Sequence, residues 1–220
     1  RLAISMGDPA GIGPEVILKS LPEDDDSTGF VPVVFGSPEV LHRDVHLLPD
    51  ADAESIRSRL RTVASVDQLP ESSDSSDHPI WLVDVTADLD VTGIEHGSPN
   101  ESAAHLQLRA FERAVDAVES GSTAALVTAP WTKRLFRRID REPTGHTELL
   151  GERFASATPT MMLAGPRLRV SLATTHVPLR RVANQLDRDT LERTIRTTAK
   201  SLRSRFGIAS PSVAVCGLNP

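Results

Sequence analysis

Short apolar runs of strand length alternate along this chain with longer stretches of helical period, and nothing else in the sequence constrains its fold as tightly. Leu2–Met6, Val31–Phe35, Ile80–Val85 and Ala124–Thr128 read as buried strands. Between Glu101 and Glu119, Ala104, Leu108, Phe111, Val115 and Val118 are spaced four and three residues apart, so they share one helical face, and Gly121 follows where a cap is expected. A second such helix runs from Asp189 to Phe206, with Leu191, Ile195, Thr198 and Leu202 on a stripe and Gly207 as its stop. Met161–Ala164 and Leu168–Ala173, joined by Gly165-Pro166-Arg167, read as a hairpin, and Ser212–Cys216 as one more strand. Strands alternating with helices argue for a layered α/β fold. Glu23–Asp26 and Glu71–Asp77 are acidic, lack core formers and read as solvated loops. A domain crossing falls near Ala129–Gly145, and the expected division is 1–130 and 131–220.

Composition removes several function classes. Thirty acids against 24 bases give a net charge of −6, without the basic stripe that nucleic-acid binding requires. No apolar run approaches the roughly 18 residues of a membrane span. The start, Arg1–Gly7, is too short in apolar residues for a secretory signal, so a cytoplasmic protein is expected. A single cysteine, Cys216, excludes an internal disulfide framework. Tyrosine is absent and aromatics make up 4%, which argues against a stacking platform for bases or sugars.

Several short constellations could carry chemistry. Gly7-Asp8-Pro9-Ala10-Gly11-Ile12-Gly13-Pro14 lies between a strand and a helix, where glycines admit a ligand to the backbone and a helix start favours anions. Its glycine spacing is not the dinucleotide fingerprint, and Pro14 removes an N–H. The competing reading is a tight turn that needs positive φ. In Thr144-Gly145-His146-Thr147-Glu148, His146 and Thr147 can both donate hydrogen bonds beside a permissive glycine; a plain helix cap is the alternative. His176 leaves a strand in Thr174-Thr175-His176, where open α/β sheets place ligands and where imidazole suits a zinc-like metal. His42, His46, His78, His96 and His105 show no metal spacing, and His42 with His46 reads as a helix face. Lys133, in Thr128-Ala129-Pro130-Trp131-Thr132-Lys133, follows a buried strand and could hold an anion or assist proton transfer; otherwise it is an exposed lysine. There is no Gly-x-Ser-x-Gly elbow and no Walker loop.

Taken together and in order, "ISMGDPAGIGPEVILKSL", "ALVTAPWTK", "TGHTELLGE", "MMLAGPRLRVSLATTHVPLRRVA" and "FGIASPSVAVCGLNP" strongly resemble the 4-hydroxythreonine-4-phosphate dehydrogenase family of vitamin B6 biosynthesis. The resemblance implies an α/β fold like that of isocitrate and isopropylmalate dehydrogenases, with two α/β/α domains flanking a cleft. It implies an NAD-dependent homodimer that oxidises 4-phosphooxy-L-threonine to a β-keto acid, which decarboxylates to 3-amino-2-oxopropyl phosphate. The family's His-Thr pair binds substrate and maps onto His146 and Thr147. Its "TTH" histidine ligates a divalent metal (Zn, Mg or Co) and maps onto His176.

Two departures bear on function. The family continues past "GLNP" into "HAGE", whose histidine is a second metal ligand, with a third further on, whereas this sequence stops at Pro220. The chain is therefore expected to be incomplete, poorly soluble alone and unable to bind Zn²⁺ or Mg²⁺ tightly. A bare sheet edge or apolar surface is expected near Ser212–Cys216. The tryptophan of "APWTK" stands where related chains often carry other residues before the lysine. Two rival readings remain: a sister dehydrogenase of erythronate or threonate 4-phosphate, and a truncated, non-catalytic homologue.

Overall fold

Leu2–Ser5 (β1) lies at the heart of a parallel sheet because its apolar residues are covered on both faces, as central strands of such sheets are. The computed structural model describes residues 1–21, 30–70, 78–154 and 159–218; the acidic segments 23–26 and 71–77 fall outside them. Two compact units emerge, Arg1–Thr144 and Gly145–Pro220.

In the first unit β1 leads into α1 (Gly13–Ser20), which carries proline in its first turn, with Glu15 near its start and Lys19 near its end, as the helix dipole favours. Then come β2 (Pro32–Gly36), α2 (Pro38–Asp44), α3 (Asp50–Arg59), β3 (Leu60–Val63), β4 (Ile80–Asp84), α4 (Glu101–Glu119) and β5 (Leu126–Thr128). The strand order is β3-β4-β2-β1-β5, and every pairing is parallel. Ile4 stands opposite Val34 on one side and Val127 on the other. From β1 the chain winds outward to β2 and later returns as β5 on β1's free side, so strand order reverses between β1 and β5. The crevice at the carboxyl ends of such a pair is where open α/β sheets bind ligands.

Helix α4 occupies the residues its periodicity predicts. Asn100 caps it by accepting from the Ala103 N–H, and Gly121 turns away at φ 78°. It packs on β1 and β2, burying Ala104, Phe111 and Val115. Beyond β5 a 3₁₀ segment, Lys133–Ile139, packs along α4 through buried Leu135 and Phe136. Trp131 completes this packing, its ring 5.3 Å from Phe111 and 5.0 Å from Phe136. That packing carries the first unit on to Thr144, beyond the division expected at 130/131.

The second unit holds α5 (His146–Arg153), β6 (Met162–Ala164), β7 (Arg169–Ser171), α6 (Leu179–Gln185) and α7 (Arg188–Ser204). β6 and β7 form the expected antiparallel hairpin. The expected strand Ser212–Cys216 does not form. Those residues are exposed and pair with no strand among the described residues, and an alternating pattern makes no strand without a partner. The apolar surface expected there is present, in exposed Val213, Val215 and Leu218.

Candidate functional site

At the β1/β5 reversal, two loops are locked together by backbone. The Asp8 N–H donates to the Pro130 carbonyl at 2.9 Å, and the Ala129 N–H donates to Ser5 at 3.1 Å. Gly7 sits at φ 72°, and a Cβ there would lie 2.3 Å from the Pro130 oxygen, so no other residue fits. Buried Asp8 accepts from the Ala10 N–H at 2.9 Å while its carbonyl accepts from Gly11. The Gly7–Gly13 loop thus uses Asp8 and two of its own N–H groups to hold its shape. This is the tight-turn alternative, placed at the mouth of the crevice.

A polar junction that sequence spacing concealed braces the same loop. Asp44, at the end of α2, is fully buried, and Arg43 donates to both its carboxylate oxygens, Nε to Oδ1 at 2.6 Å and Nη2 to Oδ2 at 3.2 Å. His96 Nε2 lies 2.9 Å from Oδ1. Arg43 also donates to the carbonyls of Ile94 and Pro9, at 2.6 and 2.8 Å, and the Gly97 N–H donates to Ala10 at 2.8 Å. Apart from the adjacent pair Arg43 and Asp44, the side-chain partners lie 34 to 52 residues apart in sequence, beyond the reach of any local pattern. The available signal was a charged residue, Asp44, on the helix that buries Val40 and Leu41.

Lys133 begins the 3₁₀ segment at the carboxyl end of β5 and is exposed. Its backbone approach is rigid because Gln107, fully buried on α4, accepts from the Thr132 N–H at 2.8 Å and donates to the Thr132 carbonyl at 3.3 Å.

In the second unit Gly145 is the N-cap of α5 and offers no capping side chain. His146 and Thr147 are the first two helical residues; His146 is half-buried and Thr147 exposed. Backbone N–H groups at such a start favour an anion. His176 follows β7 by five residues, is exposed, and takes φ 55°, a conformation that costs a non-glycine residue on the order of 1–3 kcal/mol and concentrates at functional sites. Among the described residues no three His, Cys, Asp or Glu side chains are grouped to hold a metal ion. His176 alone therefore does not fit a divalent metal, since such sites ordinarily use about three protein ligands.

A family model described as pyridoxal phosphate biosynthetic protein PdxA matches residues 29–220. The chain belongs to the PdxA family. A family relative from Trichlorobacter lovleyi, named 4-hydroxythreonine-4-phosphate dehydrogenase, is 33% identical over the whole chain and 62% of its own length. A relative from Cutibacterium acnes, whose name assigns it provisionally to D-threonate 4-phosphate, is 32% identical over the whole chain and 60% of its own length. The crystal structure of 4-hydroxythreonine-4-phosphate dehydrogenase from Klebsiella pneumoniae superposes with a TM-score of 0.81 at 32% identity, covering the whole chain and 64% of that one. PdxA membership fixes the fold as the α/β type of isocitrate and isopropylmalate dehydrogenases. The chain spans about three fifths of the length of the curated family members it matches.

Proposed function

We propose that the full-length protein to which these residues belong is an NAD-dependent, divalent-metal-assisted 4-hydroxythreonine-4-phosphate dehydrogenase of pyridoxal phosphate biosynthesis, acting in the cytoplasm as a homodimer. In that reaction the substrate's C3 alcohol gives up a hydride to NAD and its hydroxyl proton to a base. The ketone so formed is β to the carboxylate, which then leaves as carbon dioxide. The observation that carries this reading is the relatedness to enzymes of that name along the entire chain.

The residues support it in their chemistry. His146 and Thr147, at the uncapped start of α5, suit the phosphate of a small substrate, with the imidazole and hydroxyl adding donors to the helix N–H groups. His176 supplies one ligand of the metal proposed for the full-length enzyme, and its left-handed backbone is the strain expected of a functional position. Lys133 is proposed as a catalytic group that takes up or passes on a proton.

The relative assigned to D-threonate 4-phosphate supports a second reading, in which the substrate is a four-carbon sugar-acid phosphate. NAD reduction by the full-length protein, assayed with 4-phosphooxy-L-threonine and with erythronate and threonate 4-phosphates, decides between them. The highest kcat/KM is expected with 4-phosphooxy-L-threonine. A preference for either sugar acid would replace the first reading by the second, and turnover of none would leave a non-catalytic homologue.

A further inference from the structure

The 3₁₀ segment Lys133–Ile139 presents cations in a way neither packing nor local pairing explains. A 3₁₀ helix repeats every three residues, so side chains three apart are stacked on one side. Leu135 and Phe136 turn inward, while Lys133, Arg134, Arg137 and Arg138 are all exposed. Arg134 and Arg137 share one side, about 6 Å apart along the axis. None of these four has a carboxylate partner among the described residues, whereas Arg141 just beyond them lies 3.7 Å from Glu112. Four unneutralised cations on two turns repel one another, and here they do so in a chain of net charge −6.

The segment is also held rigidly, by the Gln107 clamp on Thr132 and the Phe111–Trp131–Phe136 cluster. It starts at the carboxyl end of β5, one strand of the reversal pair where ligands of open α/β sheets bind. A fixed row of guanidinium groups suits phosphate, whose oxygens accept paired N–H donors in the plane of the fork.

We propose that Arg134 and Arg137, flanked by Arg138, form a binding edge for the pyrophosphate of a dinucleotide. The site lies entirely within the first unit. The dinucleotide as ligand rests on the dehydrogenase reading; the pyrophosphate site itself does not.

The test uses the full-length protein and the fluorescence of Trp131, two residues before Lys133, with Trp81→Phe removing the other tryptophan of residues 1–220. At low ionic strength, inorganic pyrophosphate is expected to change the signal saturably, and affinity should fall with added salt. Arg134→Gln combined with Arg137→Gln should weaken binding at least tenfold without shifting the thermal midpoint, while Arg113→Gln on α4 changes nothing. In turnover, the double variant should raise KM for NAD and leave KM for the phosphorylated substrate unchanged; a raised KM for the substrate alone overturns the proposal. Pyrophosphate binding that is absent, or equal in wild type and double variant, overturns the proposal. So does tighter binding of duplex DNA than of pyrophosphate. If pyrophosphate binding is lost in the double variant but no substrate is turned over, the phosphate edge stands and the dehydrogenase reading fails.

Discussion

Thr147 is the second residue of α5, and its hydroxyl is the smallest group on which the proposed substrate contact can be tested. A charge-assisted hydrogen bond to phosphate is worth roughly 1.5–3 kcal/mol, so Thr147→Val should raise KM about tenfold or more in the full-length enzyme while leaving kcat nearly unchanged. An unchanged KM in steady-state assays would remove Thr147 from the site. That a helix follows this motif was legible in the sequence, because its signals lie in consecutive residues. The Asp44 junction was not, because its partners converge only after α2 and the loop before α4 fold together. Its energetics are unequal. Asp44 is 0% exposed and His96 42%, so removing the buried carboxylate strands the Arg43 guanidinium, while removing the imidazole gives up a half-solvated contact. Asp44→Ala should cost about 3 kcal/mol and His96→Gln less than about 1 kcal/mol, as read from urea midpoints. Equal losses would mean that His96, not Arg43, holds the carboxylate.

Turns and caps decide where elements begin and end, and two glycines on left-handed backbone separate conformational cost from collision. Gly7 at φ 72° faces the Pro130 oxygen, whereas Gly97 at φ 73° has open space where a Cβ would go. Gly7→Ala should therefore destabilise by more than about 3 kcal/mol and Gly97→Ala by only about 1 kcal/mol in the same denaturation experiment. Similar values would deny the tight contact between the two loops. Helix α7 offers a pH test. Asp187 caps it by accepting from the Thr190 N–H at 2.7 Å, and that hydrogen bond holds the Asp187 carboxyl below the ordinary aspartate range. A lowered folded-state pKa means that the cap's contribution is complete above the ordinary pKa and disappears as pH falls through the folded value. Asp187→Asn keeps an amide oxygen for the cap but cannot titrate. Helical ellipticity in wild type should fall more steeply below pH 4 (roughly the ordinary carboxylate range) than in Asp187→Asn. Parallel acid profiles would show that this cap does not govern the helix. Both long helices were legible because an apolar stripe and its caps are local. β3 was not, because its residues Leu60, Arg61, Thr62 and Val63 stay half-buried or exposed at the sheet edge, where no apolar alternation is imposed. Ser212–Cys216 failed in the opposite sense, with the right alternation and no neighbour to pair with among the described residues.

Across the whole chain, apolar burial is distributed very unequally between the two units. The first holds the buried cluster of Ile4, Val34, Phe35, Leu82, Leu106 and their neighbours, while in the second Leu202, 7% exposed, is the one buried large apolar side chain among the described residues. Leu163, Leu168, Leu179 and Leu218 of the second unit are exposed, Leu179 to 87%. Burial of apolar area is the main force favouring the folded state, at roughly 25 cal/mol per Å². Local opening should therefore cost far less in α5, β6, β7 and α7 than in the parallel sheet. Hydrogen exchange followed by mass spectrometry on residues 1–220 alone should show amides of β1, β2, β4 and α4 exchanging at least about a hundredfold more slowly than those of residues 146–153 and 188–204, a gap of roughly 2.7 kcal/mol. The same exposed leucines should bind a hydrophobic dye and limit the solubility of this stretch. Adding Zn²⁺ or Mg²⁺ should leave the exchange of residues 168–178 unchanged, because no group of three metal-ligating side chains forms among the described residues. Uniform protection across both units, or slower exchange around His176 on adding metal, would show that residues 145–218 gain order from contacts other than the burial seen in this structure.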